Sequence, residues 1–119
     1  TDDEVTLTHP EGYELSKGFT NGIPITNNQE EAFTNADFIY AKNWSSYSNY
    51  GQMPKIKSNW TITQEKINLT NNAQLMHCLP IRRNVVATDK VIDHSLVYKQ
   101  ALNREFAAQA VLKNILEEL

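Results

Sequence analysis

Short apolar runs, separated by polar and turn-forming segments, divide most of the chain into strand-sized pieces. These runs are too short for core helices and rich in β-branched and aromatic residues, so they predict buried strands. They are VTLTHP (5–10), DFIYA (37–41), QLMHCL (74–79) and SLVYK (95–99). Proline ends the first run and follows the third, which fits a strand end because proline cannot donate a hydrogen bond to a sheet.

The polar segments between these runs predict short helices. In NQEEAFTNA (28–36), Asn28 is a candidate N-cap and acidic residues occupy the first turn. TITQEKINLTNNA (61–73) predicts another short helix and TDKVID (88–93) a capped helical turn, whereas residues 45–60 predict a long loop. Strands that alternate with helices are typical of an α/β fold, here a mostly parallel sheet flanked by helices.

The last segment has a helical rather than a strand period. One apolar stripe with a 3.6-residue spacing comprises Ala108, Val111, Leu112, Ile115, Leu116 and Leu119. Arg104 lies one turn before this stripe on the same face. We therefore expect residues 1–100 to form an incomplete α/β domain, and residues 101–119 to form an amphipathic helix that packs against another part of the protein.

Polar or reactive residues follow three of the predicted strands: His9-Pro10, Lys42-Asn43-Trp44 and His77-Cys78-Leu79-Pro80. The carboxyl ends of parallel strands meet at one edge of a sheet, where ligands of open α/β folds bind. The sequence therefore predicts a ligand site at this edge.

Composition narrows the class of protein. The chain has 119 residues, 40% of them hydrophobic and 21% charged, and a formal net charge of -3, which fits one soluble globular unit. A mildly acidic chain lacks the basic surface that nucleic acid requires, and no apolar run approaches a membrane span. A single cysteine cannot form an internal disulfide, which favours the cytoplasm. The chain starts at Thr1, without Met, and reads as a piece of something longer.

The candidate site residues each have a structural and a functional interpretation. Cys78 is either a small buried hydrophobe or a thiol whose pKa is lowered by Arg82 and Arg83. Of these two arginines one is expected to be solvated, while guanidinium is well suited to bind carboxylate or phosphate. Lys42 ends an apolar strand, where a charge is costly unless it meets an anion. Arg104 is either a surface pair with Glu105 or a group facing inward.

Metal and nucleotide sites are not predicted. The three histidines and Cys78 lack the spacing of zinc ligands, and no glycine-rich phosphate loop, Ser-His-Asp order or paired-carboxylate spacing occurs. From the residues alone, the prediction is an anion-binding edge with a thiol on an α/β sheet.

HCLP with a basic loop, followed by NRE at the start of an amphipathic helix, resembles the second domain of the ornithine carbamoyltransferase family. FIYAKNW and TNNAQLMHCLPIRRNVVATDKVID are more similar to its N-acylornithine branch, which acts on N-acetylornithine or N-succinylornithine. The resemblance extends from about Val5 to Leu119, and Val86, HPEGYEL and KNW favour the N-succinyl enzymes.

The resemblance implies transfer of a carbamoyl group from carbamoyl phosphate to the side-chain amine of an acylornithine, with no cofactor or metal. It implies that Cys78 and Leu79 line the meeting point of the two substrates and that Arg104 binds carbamoyl phosphate. Lys42 and Arg82 would bind the carboxylates of the acylornithine. His77 would support the loop, and Cys78 would position the amine.

The resemblance also implies parts that this chain lacks. The family's carbamoyl-phosphate domain and at least the first strand of the ornithine domain are absent from the sequence. The chain alone is expected to be inactive, and the complete enzyme to be a cytoplasmic homotrimer. The alternatives are an ornithine carbamoyltransferase and a non-catalytic α/β anion-binding module.

Overall fold

The fold is built from two pairs of parallel strands and the helices that connect and cover them. The computed structural model describes residues 3–46, 50 and 58–118. The elements in chain order are β1 Leu7–Thr8, α1 Lys17–Thr20, β2 Ile25–Thr26, α2 Gln29–Phe33, β3 Phe38–Ala41, a 3-10 turn Ser58–Trp60, α3 Gln64–Ile67, β4 Gln74–His77, α4 Asp89–Asp93 and α5 Val97–Glu117.

Both strand pairings are parallel. β1 pairs with β2, Leu7 lying opposite Ile25. β3 pairs with β4 over its whole length, from Phe38 opposite Gln74 to Ala41 opposite His77. The two pairs are separate sheets in the described part of the chain. The predicted α/β class, with parallel strands flanked by helices, is confirmed.

The core lies on the face of β3 and β4 that α2, α4 and the start of α5 cover. Its members are apolar side chains with at most 8% exposure, as expected for strands that are buried on alternate positions. They are Phe33, Ile39, Ala41, Ile62, Ala73, Leu75, Val86, Ala87, Val91, Ile92 and Val97. Leu75 in β4 is central, with 2% exposure.

Most of the predicted elements are present. Three of the predicted strand runs contain the strands β1, β3 and β4. The segments predicted to hold short helices contain α2, α3 and α4. Asn28 caps α2, because its side chain accepts a hydrogen bond from the N–H of Glu31. The two-residue strand β2 was not predicted, because a strand this short, directly after Pro24, has too few residues to show an apolar pattern.

The fourth predicted strand is wrong. SLVYK (95–99) enters α5, which begins at Val97 and not at residue 101. The Ser95 hydroxyl accepts the Val97 N–H at 3.2 Å, and the Gln100 N–H donates to Leu96 O at 2.8 Å. Val97 is fully buried as a core residue, so tertiary packing overrides the β propensity of this run.

The apolar stripe of α5 lies on a helix, as predicted, but it is exposed to solvent. Val111, Leu112, Ile115 and Leu116 are each more than half exposed. Leu119 and most of the predicted long loop over 45–60 lie outside the described residues. No helix within the described ranges is long and apolar enough to cross a membrane.

Removal of core volume at Leu75 should destabilise the fold. We expect Leu75→Ala to lower the free energy of unfolding by about 2–5 kcal/mol, because a buried leucine leaves a cavity when it is truncated. Urea denaturation followed by circular dichroism measures the change. Leu69→Ala is the matched control, since Leu69 is 41% exposed, and its effect should stay within about 0.5 kcal/mol. Equal effects of the two variants would contradict the placement of the core.

Candidate functional site

The parallel register of β3 and β4 places their next residues side by side. Ala41 and His77 are the last paired residues, so Lys42 and Cys78 leave the sheet together. The ammonium of Lys42 donates a hydrogen bond to Cys78 Sγ over 3.0 Å. The sheet therefore brings together two candidate residues that are 36 positions apart in the sequence.

The contact between Lys42 and Cys78 shifts the pKa of both side chains. The hydrogen bond from Lys42 is the main cause that lowers the pKa of the Cys78 thiol, and the positive charge of Arg104 lowers it further. The same hydrogen bond raises the pKa of Lys42. Both shifts favour an ammonium and a thiolate. Arg82 and Arg83, from which the sequence predicted this effect, are not among its causes.

Leu79 forms a tight backbone turn directly after Cys78. Its φ is 55°, a left-handed conformation that costs a leucine about 1–3 kcal/mol, and the Leu79–Pro80 peptide is cis. The Leu79 N–H donates to His77 Nδ1 at 2.9 Å. The turn carries the backbone of Cys78 and Leu79 beyond the sheet edge, where a ligand can reach it.

His77 supports this turn from inside the protein. It is fully buried, and its backbone N–H donates to Gln100 Oε1 at 2.9 Å. Because Nδ1 accepts the Leu79 N–H, the ring proton lies on Nε2, which has no hydrogen-bond partner among the described residues. Burial, and then the charge of Lys42, lowers the pKa of His77, so the ring is neutral at neutral pH. This geometry matches the predicted supporting role.

Asn43 connects the end of β3 to the loop after β4. Its side-chain amide donates to Pro80 O at 2.7 Å, and its side-chain oxygen accepts the Arg82 N–H at 3.3 Å. The amide thereby spans the cis turn and fixes the backbone of Arg82 next to Lys42. The sequence placed Asn43 among the polar residues at the end of a strand but predicted no role for it, because its partners Pro80 and Arg82 are remote in sequence.

The two adjacent arginines have different surroundings. Arg83 forms salt bridges with Asp89 and Asp93. The guanidinium of Arg82 makes no hydrogen bond or salt bridge within the described residues, and the residue is exposed. Arg82 is therefore the solvated one of the two adjacent arginines. Its charge is available to a ligand.

Arg104 reaches the site from the first turns of α5. Its Nη2 donates to Cys78 O at 3.3 Å, so the helix face that carries Arg104 borders the turn. The net-acidic chain thus has a cationic edge, which we call the strand-end site. It consists of Lys42, Cys78, Leu79, Arg82 and Arg104. Its cations and backbone polar groups suit an anionic or carbonyl ligand.

A cavity of about 270 Å³ lies between the two sheets and borders the strand-end site. β1 with His9 lines one side, and β3 with Lys42 and Trp44 lines the other. Two buried polar atoms of its lining residues, Thr8 Oγ1 and Trp44 Nε1, lack hydrogen-bond partners among the described residues. Trp44 packs edge-on against Tyr13 and Trp60, which fixes the backbone after Lys42.

Potential metal ligands are scattered over the part of the chain that the structure describes. No group of three or more His, Cys, Asp or Glu side chains lies close enough to hold a metal ion there. The charges of the strand-end site come from lysine and arginine, which bind anions directly.

Comparison with known proteins agrees with this fold. Residues 3–115 match the family model described as aspartate/ornithine carbamoyltransferase, Asp/Orn binding domain. The N-succinylornithine carbamoyltransferase of Bacteroides fragilis is 50% identical in an alignment of 123 positions that covers 100% of this chain and 39% of the relative. The N-acetylornithine carbamoyltransferase of Xylella fastidiosa strain Temecula1 is 35% identical over 74% of this chain and 29% of the relative.

Solved structures give the same result. A crystal structure of a mutant N-acetyl-L-ornithine transcarbamylase, complexed with carbamyl phosphate and N-succinyl-L-norvaline, superposes with a TM-score of 0.81 and 28% identity. The match covers 92% of this chain and 39% of that one. Another crystal structure of N-acetyl-L-ornithine transcarbamylase has a TM-score of 0.80 and 29% identity over the same shares.

The fold and the strand-end site define an α/β domain that presents a cationic edge at the carboxyl ends of parallel strands. More specifically, the chain belongs to the aspartate/ornithine carbamoyltransferase family. It spans 39% of the length of the N-succinylornithine carbamoyltransferases it matches.

The contact between Lys42 and Cys78 should be visible in thiol reactivity. We expect iodoacetamide to alkylate Cys78 with a pH midpoint below the ~8.5 of an ordinary cysteine, because the ammonium stabilises the thiolate. Lys42→Met should move the midpoint upward. Mass spectrometry of the peptide that contains Cys78, across a pH series, measures the rates. Arg82→Met is the control and should leave the midpoint in place; the same midpoint in both variants would contradict the contact.

Proposed function

We propose that this chain is the acylornithine-binding part of a carbamoyltransferase. The whole protein transfers the carbamoyl group of carbamoyl phosphate to N-succinyl- or N-acetyl-L-ornithine, giving N-acylcitrulline and phosphate in arginine biosynthesis. The observation that carries this proposal is the strand-end site, where Lys42, Cys78 and Arg104 are joined by hydrogen bonds at the end of a parallel strand pair. Similarity to enzymes of this name along the whole chain supports it.

The reaction requires two substrates to meet and a developing charge to be stabilised. The side-chain amine of the acylornithine attacks the carbonyl carbon of carbamoyl phosphate, a charged tetrahedral species forms, and phosphate leaves. Catalysis by positioning and by fixed hydrogen-bond donors is sufficient for such a step. In this proposal Arg104 donates to the carbonyl oxygen of carbamoyl phosphate, and the backbone of Leu79 contacts both substrates.

Lys42 and Arg82 are proposed to bind the carboxylates of the acylornithine. Arg82 has a guanidinium without a partner among the described residues, and its backbone is fixed by Asn43. The Lys42 ammonium donates to Cys78 Sγ over 3.0 Å. An arriving carboxylate competes with Cys78 Sγ for the Lys42 ammonium, which leaves Cys78 free to position the substrate amine.

The acyl group is proposed to be succinyl. The relatives from Bacteroides fragilis and Bacteroides thetaiotaomicron, both N-succinylornithine carbamoyltransferases, are 50% and 47% identical over the whole chain. The N-acetylornithine carbamoyltransferase of Xylella fastidiosa is 35% identical over 74% of it. Val86, which the resemblance associates with the succinyl branch, is fully buried and lines the cavity next to the strand-end site.

The rest of the protein is proposed to complete both the domain and the active site. The exposed stripe of α5, with Leu112 59% and Leu116 69% exposed, has the character of a helix face that packs on another domain. The cavity between β1 and β3, where polar atoms of Thr8 and Trp44 have no hydrogen-bond partner among the described residues, has the character of a gap for a further strand. We propose that the residues before α5 form the incomplete acylornithine domain together with the buried start of α5 at Val97, and that the exposed stripe of α5 packs toward the carbamoyl-phosphate domain.

The whole enzyme is further proposed to be a cytoplasmic homotrimer, on the family resemblance and the free thiol of Cys78. Light scattering after gel filtration of the full-length protein tests the trimer. A monomeric mass for an active enzyme would contradict it.

Carbamoyl transfer by the full-length protein tests the proposed function. We expect turnover of N-succinylornithine to exceed that of N-acetylornithine and ornithine when each is assayed with carbamoyl phosphate. Lys42→Ala and Arg82→Ala should each reduce kcat/KM about 10- to 1000-fold, because each removes a charged hydrogen bond to a bound carboxylate. Formation of the citrulline product, measured colorimetrically, gives the rates.

The control is Lys113→Ala, which removes an exposed lysine from the ion pair with Glu117 on α5. It should leave kcat/KM unchanged. Preferred turnover of ornithine would identify an ornithine carbamoyltransferase instead. No turnover of any of the three substrates would overturn the proposal and favour a non-catalytic anion-binding module.

A further inference from the structure

Arg83 uses its whole guanidinium to hold three side chains of the following helices. Its Nε donates to Asp89 Oδ1, its Nη2 to Asp93 Oδ1 at 2.6 Å, and its Nη1 to the Tyr98 hydroxyl at 3.2 Å. Asp89 and Asp93 lie at the two ends of α4, and Tyr98 lies in the first turn of α5. We call these four residues the Arg83 network.

A second set of contacts ties the same loop to α4. Asn84 Nδ2 donates to Asp89 Oδ2 at 2.7 Å, and the Asp89 N–H donates to Asn84 Oδ1 at 3.1 Å. The hydrogen bonds from Asn84 and then from Arg83 lower the pKa of Asp89, which keeps this carboxylate charged at neutral pH. An isolated exposed ion pair adds little to stability, whereas a guanidinium that is shared among several partners fixes their relative positions.

The loop that carries these contacts begins at Arg82. The Arg82 carbonyl accepts the Val86 N–H at 2.9 Å, and Val86 is fully buried in the core. On the other side of the residue, the Arg82 N–H donates to Asn43. Both backbone groups of Arg82 are therefore hydrogen-bonded. The N–H is bound to Asn43 after β3, and the carbonyl is bound within the loop that Arg83 connects to α4 and α5.

We propose that Arg83 is a positioning residue that acts through Arg82. Its network orients the 82–88 loop so that the guanidinium of Arg82, which has no partner in the described part of the chain, meets a carboxylate of the acylornithine. This role deepens the proposed function and rests on it. It divides the two adjacent arginines into one that binds substrate and one that fixes the loop.

Steady-state kinetics of the full-length enzyme test this role with Arg83→Ala, Arg82→Ala and the double variant. Arg83→Ala should raise KM for the acylornithine roughly tenfold, since small misplacements of a binding group have effects of about that size or larger. KM for carbamoyl phosphate should change less than twofold. In the double variant, the KM for the acylornithine should equal that of Arg82→Ala alone, because Arg83 has no effect once the group it positions is gone.

Conservative variants separate positioning from folding. Arg83→Lys keeps the charge but cannot reach both carboxylates and Tyr98, so it should give a KM between wild type and Arg83→Ala. Asp93→Asn weakens one contact of the network and should raise the same KM by a smaller factor. Thermal melting identifies variants that are unfolded, and Lys113→Ala is the matched control for loss of a surface cation.

The outcomes distinguish this inference from the proposed function. Multiplicative effects of the two alanine variants, or an equal rise of both KM values, would overturn the positioning role while leaving the carbamoyltransferase intact. An unchanged KM for the acylornithine in folded Arg83→Ala would overturn it as well. Absence of turnover in the wild-type enzyme would overturn the proposed function and this role with it.

Discussion

The in-register parallel pairing of β3 with β4 is the constraint on which the site depends. Because Ala41 lies opposite His77, the residues that follow leave the sheet together, and the Lys42 ammonium meets the Cys78 thiol. A shift of one residue in this register would turn every side chain of β4 to the opposite face. It would expose Leu75 and separate Lys42 from Cys78, so the same pairing maintains the core and the strand-end site.

Hydrogen bonds in the surrounding loops fix the backbone of the strand-end site beyond the ends of β3 and β4. Asn43 spans the turn at Leu79–Pro80, His77 accepts the Leu79 N–H from inside, and Arg83 fastens the loop that begins at Arg82. These polar contacts hold backbone in conformations that the chain would otherwise avoid, such as the positive φ of Leu79. The pattern is typical of ligand sites, where a rigid scaffold carries irregular backbone that is accessible to substrate.

Much of this fold was predictable from the sequence, because short apolar runs bounded by proline and polar residues form strands where their side chains are buried in the core. The meeting of the ends of β3 and β4 followed from the same reasoning. Two errors have physical causes. SLVYK has the composition of a strand, yet burial of Val97 within the first turn of α5 decides its conformation. The thiol of Cys78 is tuned by Lys42 and Arg104, which are remote in sequence, and not by the adjacent arginines. Contacts between remote residues, including those of Asn43, depend on the register and are not encoded in local pattern.

The central claim is that substrates bind at the carboxyl ends of β3 and β4. A crystal structure of the full-length protein with carbamoyl phosphate and N-succinyl-L-norvaline tests it most directly. We predict that both ligands lie at the strand-end site, with a ligand carboxylate in contact with Lys42 and Arg82 and with Arg104 in contact with carbamoyl phosphate. Ligands bound elsewhere, or a Lys42 ammonium that still contacts Cys78 beside an occupied site, would contradict it.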